Sequence, residues 1–68
     1  MPLISSAAIL LDAVAKAGSI RGAAAKQNIS ASALNRQILN LEEEYGTKLF
    51  ERLPRGVRLT SAGAALLA

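Results

Sequence analysis

The sequence contains no cysteine and no histidine. Without cysteine, the chain has no disulfide bond, no thiolate metal site and no cysteine nucleophile. Without histidine, it lacks the commonest general base and metal ligand of proteins. No enclosed pair of carboxylates is evident that would act in their place. We therefore expect no catalytic residues, no metal site and no cofactor.

Long apolar runs are also absent. The longest, residues 7–11 and 64–68, fall far short of the ~18 residues that a membrane span requires. No lysine or arginine precedes the apolar segment near the N-terminus, and Asp12 interrupts it, which argues against a signal peptide. With no cysteine and no export signal, the sequence predicts a cytoplasmic protein with no membrane partner.

Aromatic residues are scarce, with one Phe, one Tyr and no Trp, although 51% of the residues are hydrophobic. The 68 residues suffice for one small domain, and a domain of this size buries only about 60% of its unfolded surface. The core must therefore be thin.

Eight basic residues against five acidic ones give a net charge of +3, a modest indication of a polyanionic partner.

Periodicity and capping residues predict four helices and a hairpin. The helices cover residues 6–17, 20–27, 31–45 and 61–68, and two short strands cover residues 51–53 and 57–59. The predicted helix N-caps are Ser5 or Ser6, Ser19, Ser30 and Thr60. Residue types that tolerate the left-handed conformation follow the first three helices, at Gly18, Asn28 and Gly46.

The third helix is amphipathic. Its apolar stripe is Leu34, Ile38, Leu41 and Tyr45, and its polar side carries Ser32, Asn35, Arg36 and Asn40. Residues expected to join the core outside this helix are Ile29, Leu49 and Phe50. A short helix, a tight turn and a longer helix with a polar outer face form a helix-turn-helix. The hairpin that follows, with Pro54-Arg55-Gly56 at its turn, makes it winged.

Several short fragments occur in a fixed order with unbroken spacing. They are Gly18-Ser19-Ile20, Ala23-Ala24, Ile29-Ser30, Arg36-Gln37-Ile38, Leu41-Glu42, Tyr45-Gly46, Leu49-Phe50-Glu51-Arg52 and Leu59-Thr60-Ser61-Ala62-Gly63. Across roughly residues 9–67, the chain resembles the N-terminal DNA-binding domain of LysR-type transcriptional regulators. The resemblance implies a mostly α, winged helix-turn-helix fold: a three-helix core and a two-stranded wing in residues 1–60, then the start of a linker helix in residues 61–68.

The chain departs from the family pattern at several positions. Leu11 and Ile20 stand where Phe is usual, and Gln27 stands where Leu is usual. Ala31-Ser32 replaces a frequent Gln-Pro, Asn35 replaces Ser, and Leu39 replaces a basic residue. Since positions 31, 32 and 35 face DNA in the family, we expect a sequence preference unlike that of typical members. Family members are also several times longer, so the resemblance implies an excised domain or a truncated protein.

By resemblance, the third helix lies in the major groove of double-stranded DNA. Arg36 would bind a guanine edge or a phosphate, and Asn35 would read adenine because its amide donates and accepts at once. Ser32 would touch a phosphate or a base, and Ala31 a thymine methyl group. Gln37 would either reach a phosphate or brace two helices.

The remaining predicted DNA contacts lie outside that helix. Arg55 at the hairpin tip would enter the minor groove, where narrow A·T-rich segments attract arginine, and Arg58 would bind a phosphate. Ser19 and Arg21 open the second helix, whose N-terminus favours anions. Arg52 is expected to be structural, in an ion pair with Glu42. Lys16, Lys26 and Lys48 are interpreted as solvated surface residues.

Family members dimerise through the linker helix, which makes Ala62, Ala65, Leu66 and Leu67 candidate partner contacts. The alternative is that these residues pack against the first helix of their own chain. We expect the full-length protein to be a homo-oligomer and this chain to be a monomer or a weak dimer.

Alternative functions are a winged helix that binds protein, a molybdate-responsive regulator with a similar N-terminal fold, and, least favoured, an enzyme.

Overall fold

The computed structural model describes residues 6–67. The elements in chain order are α1 (Ser6–Ala17), α2 (Ile20–Gln27), α3 (Ala31–Tyr45), β1 (Phe50–Leu53), β2 (Gly56–Leu59) and α4 (Ser61–Leu67). All six predicted elements are present, and each strand begins one residue earlier than predicted. The proposed cap at Ser5 or Ser6 depends on side chains outside the described part of the chain.

Side-chain caps set the helix boundaries. Ser19 Oγ accepts a hydrogen bond from the Gly22 amide at 2.9 Å, and Ser30 Oγ accepts one from the Ala33 amide at 3.1 Å. Thr60 Oγ1 does the same for the Gly63 amide at 3.1 Å. These bonds satisfy amides that have no partner within the helix, so the three predicted caps are confirmed.

Left-handed residues end the helices where the sequence predicted. Gly18 has φ 75°, Asn28 has φ 61° and Gly46 has φ 68°. The Asn28 and Ile29 amides donate back to carbonyls in the last turn of α2, so the chain reverses within a few residues and α3 starts beside α2. This compact turn joins α2 and α3 into the helix-turn-helix.

The core lies between the three helices and the hairpin. Its buried members are Leu11, Val14, Ala23, Ala24, Leu34, Ile38, Leu49, Phe50 and Val57. Ala23 and Ala24 are small enough to let α2 lie close to both α1 and α3. The predicted core positions Leu34, Ile38, Leu49 and Phe50 are confirmed, and Leu41 packs against the cluster while partly buried.

Two residues predicted to be apolar anchors lie at the edge of the core instead. Ile29 is 36% exposed and Tyr45 is 44% exposed. Ile29 sits in the turn, where its amide is held by the Ala24 carbonyl at 3.0 Å, and Tyr45 is the last residue of α3. A core this small does not reach the last residue of the 15-residue helix α3, so the helical stripe overstates the burial of Tyr45.

The wing is an antiparallel hairpin docked against the turn between α1 and α2. Phe50 pairs with Leu59 at its base and Leu53 with Gly56 at its tip. The Val57 amide donates to the Gly18 carbonyl at 3.0 Å. Gly56 has φ 148°, and a Cβ there would overlap the Gly18 carbonyl oxygen. Only glycine therefore permits this approach of two backbones.

Glu42 ties α3 to the start of the wing. Its side chain is 6% exposed, and Oε2 accepts from the amides of Leu49 at 2.8 Å and Phe50 at 3.2 Å. The nearest cation is Lys48, with Nζ 3.9 Å from Glu42 Oε1. The predicted ion pair between Glu42 and Arg52 is wrong, because backbone amides and Lys48 satisfy the carboxylate first.

The helix α4 folds back onto its own chain. The Thr60 amide donates to the Leu49 carbonyl at 3.0 Å, and Gly63 lies so close to that carbonyl that a Cβ would overlap it. Ala62, Leu66 and Leu67 pack partly buried against the core.

Among the described residues, no helix is long and apolar enough to cross a membrane.

Candidate nucleic-acid interface

The outward face of α3 is built by helical spacing. Leu34, Ile38 and Glu42 are buried, so the residues opposite them face solvent. The exposed residues of this face are Ser32, Arg36, Leu39, Asn40 and Glu43. Of the predicted base-reading residues, Ser32 and Arg36 lie on this face, while Ala31 packs partly buried against the core.

Arg36 is an exposed cation without a carboxylate partner in residues 6–67. It lies in the first half of α3, whereas the acidic residues Glu42, Glu43 and Glu44 lie in the second half. The positive charge and the positive end of the helix dipole therefore share the same end of α3. This end favours an anionic surface.

Asn35 is oriented differently from the expectation. Its Oδ1 is buried and accepts no hydrogen bond from any residue that the structure describes. A buried oxygen is not available as an acceptor on the outer face of α3. In this rotamer, Asn35 cannot make the two-bonded contact that reads adenine.

Two other predicted contacts have partial structural roles. Ser32 Oγ lies 3.3 Å from Oγ of the cap residue Ser30, so its hydroxyl shares a hydrogen bond at the start of α3. Gln37 lines a shallow groove of about 260 Å³ together with Ala7 and Leu10 of α1. Gln37 is exposed and makes no hydrogen bond to the described residues of α1, so the bracing role and the phosphate contact both stay predictions.

The wing holds two arginines in contrasting states. Arg55 is exposed at the turn and has no carboxylate within ion-pair distance in the described chain. Arg58 donates its Nε–H to Glu51 Oε1 at 2.8 Å. That hydrogen bond, and then the charge of Glu51, raise the pKa of Arg58 above its ordinary value. One N–H donor of the exposed Arg58 guanidinium is therefore already engaged by Glu51.

The start of α2 adds one more cation. The Ser19 side chain is occupied as the cap, accepting from the Gly22 amide. Arg21 is exposed in the first turn of α2 and lies on the same side of the domain as the wing, because both border one cleft. The structure therefore brings together Arg21 and Arg55, two residues that the sequence predicted to contact DNA.

Sequence reasoning missed Arg52 as a member of this surface. Arg52 is exposed on β1 and borders the same cleft as Arg21 and Arg55. Alternation along a four-residue strand does not reveal this, because the position of the side chain depends on how the hairpin docks.

Within residues 6–67, no group of three or more metal-ligating side chains is assembled.

Residues 6–64 match the family described as bacterial regulatory helix-turn-helix protein, LysR family. The chain belongs to the LysR family. It is 47% identical over 62 residues to the uncharacterized HTH-type transcriptional regulator y4mQ of Sinorhizobium fredii, covering 91% of this chain and 21% of that protein. It is 53% identical over 55 residues to the HTH-type transcriptional regulator TfdT of Cupriavidus pinatubonensis, covering 81% and 24%. The chain spans about a quarter or less of the length of these two relatives.

Solved LysR-type structures share the fold. The chain superposes on CbnR_DBD in a DNA complex with a TM-score of 0.83 and 39% identity, covering 90% of this chain and 70% of that one. It superposes on BenM_DBD in complex with benA site 1 DNA with a TM-score of 0.81 and 39% identity, covering 90% of this chain and 68% of that one.

The winged helix-turn-helix fold and the LysR resemblance are confirmed. The relatives are regulators, so the enzyme alternative is excluded and the LysR assignment is favoured over a molybdate-responsive regulator.

Proposed function

We propose that this LysR-family domain binds double-stranded DNA with α3 in the major groove and Arg55 in the minor groove. The observation that carries this proposal is the placement of Arg36 and Arg55. Both are exposed, and neither has a carboxylate partner in residues 6–67. They lie on the recognition helix and the wing of a fold shared with two DNA complexes.

Contacts divide by role in this proposal. Arg36, Ser32 and Asn35 read or approach base edges. Arg21 and Ser19 lie toward the sugar–phosphate backbone, which supplies most of the affinity without sequence information. Arg58 contributes less than the sequence predicted, because Glu51 holds its guanidinium.

The charges on the second half of α3 disfavour its insertion deep into the major groove of DNA. Glu43 and Glu44 are exposed there, and carboxylates so placed repel phosphates. We therefore propose that α3 enters the groove with its first half, between Ala31 and Ile38. This orientation is consistent with the DNA-binding helices of other helix-turn-helix proteins.

For the full-length protein, we propose a cytoplasmic transcriptional regulator that assembles as a homo-oligomer through the linker helix. Of the four candidate partner contacts, Ala65 is exposed, while Ala62, Leu66 and Leu67 already pack partly buried against the core. Extension of this helix beyond residue 68 would add the surface needed for a stable dimer. The chain itself is proposed to be a monomer or a weak dimer.

The test is a fluorescence-anisotropy titration of the domain into a labelled A·T-rich duplex at several salt concentrations. We expect weak binding, of order 10⁻⁴–10⁻⁶ M, that falls steeply with salt. Arg36→Ala and Arg55→Ala should each weaken it. The matched control is Lys16→Ala, which removes the same charge from α1, where Lys16 pairs with Asp12 at 3.1 Å.

Equal effects of all three substitutions would indicate attraction by net charge alone and contradict the assigned contacts. Absence of salt-dependent binding by a folded sample would favour the alternative of a protein-binding winged helix. A longer chain that includes the complete linker helix separates this result from a requirement for dimerisation.

A further inference from the structure

A cleft of about 450 Å³ separates the start of α2 from the wing. One wall is residues 19–21 and the other is residues 52–57; we call this the basic cleft. Three arginines border it, Arg21, Arg52 and Arg55, and no acidic residue does. The sequence placed two of these arginines on a DNA-binding surface and interpreted Arg52 as structural.

None of the three arginines of the basic cleft forms an ion pair with a carboxylate in residues 6–67, although Arg52 also borders a neighbouring groove that Glu42 and Glu51 line. In the described residues, Asp12 pairs with Lys16, Glu42 with Lys48 and Glu51 with Arg58. The other acidic residues, Glu43 and Glu44, lie on α3. Like charges around one cleft repel one another, so an anion between them is the ligand that this arrangement favours.

The walls of the basic cleft are held in place without any ligand. The Val57 amide donates to the Gly18 carbonyl at 3.0 Å, and Gly56 brings the two backbones into direct contact. The Ser19 cap fixes the first turn of α2 on the opposite wall. The arginine Cα positions are therefore set before binding, which reduces the ordering cost of an incoming group.

Resting on the proposed function, we infer that the basic cleft seats a phosphate of the DNA backbone and that Arg52 is one of its contacts. A guanidinium offers paired N–H donors that match two phosphate oxygens. Arg55 at the tip reaches past this phosphate into the minor groove, while Arg21 approaches from α2. Arg52 then anchors the wing at the edge of the groove.

The test compares the salt dependence of DNA binding by Arg52→Gln and by the wild-type chain, using the same A·T-rich duplex. One lost phosphate contact makes the slope of log K against log salt shallower by about 0.9. Arg52→Lys should retain the slope, because a lysine still supplies the charge. The matched control is Lys26→Gln, which removes the same charge from an exposed position in the last turn of α2, outside the basic cleft. Its slope should change less.

Thermal unfolding separates a phosphate contact from a structural role. We expect Arg52→Gln to melt at the wild-type temperature, since Arg52 has no ion-pair partner within residues 6–67. A lower melting temperature with an unchanged salt slope would show that Arg52 is structural and overturn the inference.

A scan with single methylphosphonate linkages, which remove the phosphate charge one position at a time, gives a second readout. Wild-type binding should weaken at a linkage where binding by Arg52→Gln does not. The same loss in both proteins at every linkage would overturn the assignment of Arg52. A wild-type chain that binds no DNA would instead overturn the proposed function itself.

Discussion

Arg58 and Glu51 face each other across the wing, with Arg58 Nε 2.8 Å from Glu51 Oε1. They are directly paired in the register of β1 and β2. The pair engages the guanidinium that the sequence offered as a phosphate contact. It also places a carboxylate on the wing, where DNA phosphates are expected to approach.

Glu51→Gln should therefore strengthen DNA binding. The substitution removes a repulsive charge and releases Arg58, so the affinity should rise and the salt slope should steepen by up to about one. The measurement is the anisotropy titration at several salt concentrations. The double variant Glu51→Gln/Arg58→Gln separates the two causes, because it retains only the gain from lost repulsion. Unchanged affinity in Glu51→Gln would mean that neither residue lies near DNA.

Glu42→Ala should destabilise the fold strongly. It leaves the amides of Leu49 and Phe50 buried without an acceptor, and each unsatisfied group costs about 1–3 kcal/mol. Urea unfolding followed by circular dichroism measures the change. Glu44→Ala, at an exposed position on the same helix, is the control and should stay within about 0.5 kcal/mol of the wild type. A similar small loss in Glu42→Ala would contradict the assigned acceptor role.

Gly63→Ala should destabilise the domain although alanine is the better helix former. Helix propensity favours alanine by about 1 kcal/mol, but the added Cβ would overlap the Leu49 carbonyl and press on Leu59. Overpacking of this kind costs about 1–3 kcal/mol, so the free energy of unfolding should fall. Ser61→Ala, at an exposed position of α4, serves as the control for a surface change in the same helix. A gain in stability for Gly63→Ala would show that α4 does not lie this close to the wing.

Asn35→Ala should stabilise the fold and change DNA selectivity. The substitution removes a buried oxygen that lacks a hydrogen bond in the described chain and improves helix propensity by several tenths of a kcal/mol. Urea unfolding measures the first effect, and selection of sites from a random duplex library measures the second. Asn40→Ala, on the exposed face of α3, controls for propensity alone. Loss of stability in Asn35→Ala beyond that control would mean that Oδ1 has a favourable contact.

Local signals predicted the elements because the determining contacts are close in sequence. The caps of α2, α3 and α4 each join residues three apart, and the left-handed residues follow directly after the helices they end. The apolar period of α3 likewise identified Leu34 and Ile38 as core residues. It failed at Tyr45, where the helix extends past the small core.

Long-range pairings were not predictable in the same way. Which cation approaches Glu42, and whether backbone amides reach it first, depends on the path of the chain from Gly46 to Phe50. Whether Asn35 turns its oxygen inward depends on the space left beside α3. Whether Arg52 faces a cleft depends on the docking of the wing against Gly18.

The sequence by itself determined the four helices, the hairpin and the central core positions of α3. These follow from short-range hydrogen bonds and from the periodic exclusion of apolar side chains from water. Only the tertiary structure decided which arginines remain available. It paired Arg58 with Glu51, gave Lys48 to Glu42 and left Arg21, Arg52 and Arg55 around one cleft. Charge pairing acts over a few ångströms between distant segments, so it is settled only once those segments pack.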